Sequence, residues 1–159
     1  MSAASDVVGF LTDAHASVST AESLTGGLVC AALVAVPGAS EVVSGGIIAY
    51  TAESKIDVLG VPADVIKAFG TVDAHVAACM ANAARRRFGS TYGLATTGVA
   101  GPDPSEGKPV GTVHIAIAGP EGTTSYELSL EGDRESIRIA TVSELLSRFV
   151  DRVREESRS

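Results

Sequence analysis

The 159-residue chain has no tryptophan, few other aromatics and only two cysteines. Two thiols in a chain of this length cannot make the dense disulfide framework of small secreted domains. Cys30 and Cys79 lie in Ala-rich apolar stretches without zinc-site spacing, so they are expected to be buried, reduced thiols. His15, His75 and His114 are scattered, and no metal site is expected. Positive charge is scarce: 12 Lys and Arg against 19 Asp and Glu give a net charge of −7. Nucleic-acid binders usually carry a basic surface. Arg85-Arg86-Arg87 is the one basic run, so nucleic acid is not an expected partner. Long apolar runs are missing too. The longest, Leu28 to Val36, falls well short of the roughly 20 residues that span a bilayer. No basic start followed by an apolar core marks the N-terminus. A soluble, cytoplasmic protein without a membrane partner is expected.

Apolar residues make up 45% of the chain, and glycine is abundant at 17 residues. That is enough for a single domain spanning 1–159 with a full core, and too apolar for a disordered chain. No linker or repeat interrupts it. Periodicity predicts a short amphipathic helix over 6–13, a strand over 16–21 and a buried helix over 24–36, stopped by Pro37-Gly38. A strand follows over 42–50, with a kink at Gly45-Gly46, and a short helix over 54–59 ends at Gly60. Pro62 can open the next helix. Asp73 is a plausible N-cap for a helix running to Phe88. Strands are predicted over 91–97, 110–118 and 123–130, the last two joined at Gly119-Pro120-Glu121-Gly122. A long helix over 135–155 offers Ile137, Ala140, Leu145, Phe149 and Val153 on one face. This alternation implies an α/β fold, a three-layer α/β/α sandwich whose hairpin makes the sheet mixed.

Three loops rich in small polar residues follow predicted strands, where ligands collect in open α/β sheets. Thr20 to Gly27 leads from strand to helix. Its backbone N–H groups could receive an anion, or Ser23 or Thr25 could simply cap the helix. Thr96 to Pro102, continuing to Lys108-Pro109-Val110-Gly111-Thr112, lacks the Gly-Lys-Ser/Thr of a phosphate-binding P-loop. Tyr50 to Lys55 places a lysine at a helix start, a position usually occupied by a solvated charge.

Taken together, these segments resemble the CinA C-terminal domain family. The resemblance rests on Thr20-Ala-Glu-Ser-Leu-Thr-Gly-Gly27, on Gly45-Gly46 to Tyr50 with Lys55, and on Leu59-Gly60-Val61. It continues through Thr97-Gly-Val-Ala-Gly-Pro102, Lys108-Pro-Val-Gly-Thr-Val113, and Gly132-Asp133-Arg134 with Arg138. It runs through nearly the whole chain in one order. It implies a metal-independent, cofactor-free Ser/Lys amidohydrolase that converts nicotinamide mononucleotide (NMN) to nicotinic acid mononucleotide and ammonia. Two departures are visible: relatives often have a Gly-Gly pair where this chain reads Asp103-Pro104-Ser105-Glu106-Gly107, and Gly70-Thr71-Val72-Asp73 replaces a Gly-x-Val-Ser helix start. No counterpart of the pyrophosphatase-like domain of full-length CinA proteins is visible, so activity is expected to belong to this domain.

Amide hydrolysis needs a nucleophile, a proton shuttle and oxyanion donors. Lys55 is the family-matched base, since desolvation can bring a lysine toward neutrality. Ser23 and Ser40 compete as nucleophile. They flank a helix expected to be about 20 Å long, and the strand after Ser40 returns toward the Ser23 end. Geometry therefore favours Ser23 with Lys55. Ser40 could enter through a bend at Gly45-Gly46 or across a subunit interface. Tyr50 is expected as relay or stacking group and Thr97 as donor. Thr25, Gly26, Gly27 and Gly98 are expected around the substrate. Lys108 is expected to meet a phosphate or order its loop. Arg134 and Arg138, at i and i+4, could fork a phosphate or pair with neighbouring carboxylates. The alternatives are a non-catalytic nucleotide-binding or competence-related interaction domain, and an amidase for another pyridine nucleotide. Few charges on Ala-rich helices suggest a homo-oligomer.

Overall fold

Strand residues alternate sides, so β-branched and leucine positions fall on one face of the sheet and alanines on the other. In β4 (Thr112–Gly119), Val113, Ile115 and Ile117 enter one core while Ala116 and Ala118 enter a second. A computed structural model describes residues 2–159. It contains five strands in the order β2-β1-β3-β4-β5. The first three, β1 (Val18–Glu22), β2 (Val43–Ile48) and β3 (Tyr92–Gly98), are mutually parallel, while β4 and β5 (Gly122–Ser129) run antiparallel as a hairpin. The mixed α/β sheet is as expected. No helix among the described residues is long and apolar enough to cross a membrane.

Helices α1 (Ala3–Ala14), α2 (Leu28–Val34) and α6 (Arg134–Ser157) cover the larger core. Phe149 of α6 is fully buried and meets the Tyr92 ring edge-on at 5.0 Å. Burying a side chain of that size stabilises by roughly 2–3 kcal/mol. The opposite face carries α5 (Ala74–Phe88), with α3 (Ala52–Asp57) and α4 (Ala63–Phe69) before it. Here the sheet is lined with alanine, and α5 approaches so closely that a Cβ on Gly93 would lie 2.1 Å from the Ala81 carbonyl oxygen. Asp73 caps α5 by accepting the His75 N–H.

Two sequence-based expectations need correction. The helix expected over 24–36 is only Leu28–Val34, because Gly26 and Gly27 take left-handed turns with φ of +56° and +102°. Neither Ser23 nor Thr25 caps it. The expected buried thiols, Cys30 and Cys79, are half-buried and free.

Candidate active site

Ser23 follows the last residue of β1, and Lys55 lies in α3 just beyond the end of β2. Because these strands are parallel neighbours, both chains leave the sheet on the same side. Thr51 anchors α3 there through a reciprocal capping box with Ser54. Lys55 is 1% exposed, and its Nζ lies 2.9 Å from Ser23 Oγ. The amine also donates to the Ala49 and Tyr50 carbonyls at 2.8 and 3.1 Å. Burial pulls the Lys55 pKa down from 10.5 to about 8, against a smaller upward pull from Glu106. A neutral amine has two N–H donors and one lone pair. With both donors on carbonyls, the lone pair is left for the serine hydroxyl.

These two residues floor a cavity of about 180 Å³ that Tyr50, Thr71, Thr97 and Arg134 also line. Drug-sized ligands usually occupy roughly 300–1,000 Å³, so the cavity suits the reacting end of a ligand. Tyr50 stands exposed at the mouth, and its hydroxyl accepts from Arg134 Nη2 at 3.0 Å. Arg134 also donates to the Gly101 carbonyl. Buried Thr97 donates its hydroxyl to the Thr71 carbonyl at 2.7 Å, and Gly98 continues the wall. A larger apolar groove of about 530 Å³ between α1, α2 and α6 holds no titratable side chain. Among the described residues, no group of three or more His, Cys, Asp or Glu is arranged to hold a metal.

Several expected site residues are not brought into this cavity. Ser40 is exposed on a 3-10 turn (Ala39–Glu41) and lines a separate surface depression with Cys30 and Gly45. The Gly45-Gly46 segment does not bend it toward Lys55. Arg138 points inward: Nε donates to the Leu24 carbonyl at 2.8 Å, holding the 23–27 turn instead of forking outward beside Arg134. Lys108 donates to the Val72 carbonyl, which matches ordering its loop and not an open phosphate contact.

The N–H groups expected to await an anion at Gly27 and the start of α2 are already taken. Glu22, 1% exposed, accepts from the Gly27, Val29 and Cys30 N–H groups at 3.2, 2.9 and 3.0 Å. Thr25 Oγ1 donates to the same carboxylate at 2.6 Å and lies 2.8 Å from Thr96 Oγ1. Thr25, Gly26 and Gly27 therefore shape the turn around Glu22 and do not line the cavity. A carboxylate at a helix N-terminus is electrostatically favoured, and its position before a donor-rich turn was the signal for it. Sequence reasoning also missed Thr71 and Glu106. They meet across 35 residues of chain, beyond the reach of any local pattern.

A family model described as the CinA C-terminal domain matches residues 1–153. A CinA-like protein from Frankia casuarinae is 51% identical over 136 residues, covering 86% of this chain and 31% of that protein. A CinA-like protein from an Anaeromyxobacter species is 47% identical over 142 residues, 89% of this chain and 35% of that protein. The chain thus spans about a third of the length of these relatives. Among solved structures, the competence/damage inducible protein CihA from Agrobacterium tumefaciens superposes with a TM-score of 0.90 at 38% identity, covering 94% of this chain and 92% of that one. A competence-damaged protein (CinA) superfamily protein from Klebsiella pneumoniae gives 0.94 at 25% identity, covering 96% of each chain.

Proposed function

The chain belongs to the CinA C-terminal domain family, and on that premise we propose that it is a metal-independent amidohydrolase acting on NMN. One observation carries the proposal: a buried amine, 2.9 Å from a serine hydroxyl, whose other donors are spent on two main-chain carbonyls. With the Lys55 pKa near 8, about one molecule in ten holds the neutral amine at pH 7, against about one in 3,000 for an ordinary lysine.

In the proposed reaction, neutral Lys55 takes the Ser23 proton as Oγ bonds to the carboxamide carbon. The ammonium then returns that proton to the nitrogen as the C–N bond breaks and ammonia leaves. Water, deprotonated by the same amine, attacks the acyl-serine and releases nicotinic acid mononucleotide. Thr97 borders the reacting carbon, Tyr50 offers a ring face at the mouth, and Arg134 is the cation nearest an outward-lying phosphate. All these groups come from one chain, so the proposed homo-oligomer is not needed to complete them.

The test is release of ammonia from NMN, with and without chelator. No ammonia above a heat-killed control would refute the enzyme. Saturable NMN binding without product would select the non-catalytic alternative. Ser23→Ala and Lys55→Ala should each cut turnover by about 1,000-fold or more, whereas Ser40→Ala should leave it intact. The reverse serine pattern would mean that Ser40 is the nucleophile.

A further inference from the structure

Behind the cavity wall, on the far side of Thr71 and Val72, stands an anionic side chain that the reaction does not use. Glu106 stands at the tip of a tight turn closed by Ser105 and Lys108, whose backbones exchange hydrogen bonds of 3.2 and 2.8 Å. Glu106 and Gly107 have φ of +54° and +73°. Asn-Gly or Gly-Gly usually fills such a turn, because a side chain costs energy in the left-handed region. A glutamate there points to work done by its carboxylate.

That carboxylate reaches the segment before α5. It accepts the Thr71 N–H at 2.8 and 3.1 Å, the Thr71 hydroxyl, and the Val72 N–H at 3.3 Å. The seat exists because residue 70 has no side chain: a Cβ on Gly70 would lie 2.2 Å from Glu106 Oε1. Lys108 ties the same turn to the Val72 carbonyl. The Thr71 carbonyl in turn accepts the Thr97 hydroxyl, and Thr71, Val72, Thr97 and Ser105 all line the cavity with Ser23 and Lys55.

We propose that Glu106 is a positioning residue of this pocket: its carboxylate, seated over Gly70, holds Thr71 and through it Thr97 against the Ser23–Lys55 pair. The inference rests on the amidohydrolase reading of the same cavity. Glu106 acts at one remove from the substrate, through Thr71 and through its negative charge on the side of Lys55. Lys108, the other charged group of the turn, partly offsets that charge.

Glu106→Gln and Glu106→Gly test it: the first removes the charge and keeps the shape, and the second removes the side chain while glycine accepts the φ of +54° that the turn requires. NMN turnover is followed from pH 6 to 10. The Lys55 titration is read by carbon-13 NMR of the ε-carbon, which is simple to assign with three lysines in the chain. Acylation of Ser23 by p-nitrophenyl acetate reports the dyad without relying on NMN. Both variants should move the Lys55 midpoint to lower pH. Both should lower kcat on the alkaline plateau by about tenfold to a hundredfold, with KM changing less. Thermal unfolding of each variant confirms that it is folded. A turn that merely fastens a loop predicts an unchanged alkaline plateau in both variants, even where loss of the Glu106 charge moves the Lys55 midpoint, and that result would overturn the proposal. If the unaltered protein proves inert toward NMN, the amidohydrolase reading fails by itself. The rate of Ser23 acylation then decides for Glu106 if it falls in both variants, and against it if it does not.

Discussion

Lys55 Nζ lies 2.9 Å from Ser23 Oγ while its two other partners are the carbonyls of Ala49 and Tyr50, so the amine has one direction left in which to act. Burial lowers its pKa to about 8, so in the proposed reaction the protonation of a single group controls the rate. The proposed reaction requires the neutral form, whose fraction rises with pH. We expect kcat/KM for NMN to rise about tenfold per pH unit below pH 8 and to level off above it. A flat profile from pH 6 to 9 would exclude Lys55 as the base.

The same lysine should weaken the fold. Its folded pKa lies below the unfolded 10.5, so folding opposes proton binding. The destabilisation is fully present below pH 8, where both states are protonated. It fades as pH rises from 8 to 10.5, where the unfolded chain binds the extra proton. Lys55→Met should be inactive, and its stability advantage over the parent should shrink by about 2–3 kcal/mol between pH 7 and pH 10. Chemical denaturation at the two pH values measures this, and an advantage independent of pH would contradict it.

Glu22 gathers three N–H groups and the Thr25 hydroxyl on one buried carboxylate. Glu22→Gln keeps the shape but turns an amide donor toward those donors. We expect a loss of about 2–3 kcal/mol of stability, with disproportionate loss of activity, because Ser23 is the next residue. Urea denaturation and NMN turnover together test this. Full activity at unchanged stability would show that the turn does not depend on the charge.

His114 is buried opposite Thr97 in the β3–β4 pairing, and its Nδ1 has no partner. Burial holds its pKa below 6.5, against upward pulls from Glu127 and Asp73, with Lys108 adding to the lowering. Below pH 6.5 the unfolded chain takes up this proton before the folded one, so stability falls with pH until the lowered folded value is passed. His114→Phe should lose less stability than the parent between pH 7.5 and 5 in urea titrations. Equal losses would place the acid sensitivity elsewhere.

The strands were legible because small and β-branched residues cluster between glycine-rich turns, and the hairpin because Gly119 and Gly122 bracket it. The approach of Ser23 to Lys55 was also within reach, since it needs only a strand leaving Ser23 and a neighbour returning beside it. The start of α2 was misjudged for a definite reason. Leu24 to Val36 is uniformly rich in small and apolar residues, and nothing local shows that Glu22 takes the free N–H groups while Gly26 and Gly27 reverse the chain. Arg138 looked like a phosphate ligand because i and i+4 share a helix face. Its hydrogen bond to the Leu24 carbonyl depends on how α6 packs beside the 23–27 turn. In the sequence Glu106 stands out only as part of a variant loop. Its partner Thr71 belongs to a different element, and pairings between distant elements leave no periodic trace.

The sheet order has a consequence for heat and for ligand binding. β2 is bonded on one side only, and it leads to Lys55, whereas β1, which leads to Ser23, is gripped from both sides. The two halves of the dyad thus hang from strands of unequal local stability. Opening of the outermost ladder would part amine from hydroxyl while the remaining four strands stay joined. In the proposed enzyme, warming should therefore cost activity before the sheet melts, and a molecule bridging Ser23 and Tyr50 should steady the seam on which its own conversion relies.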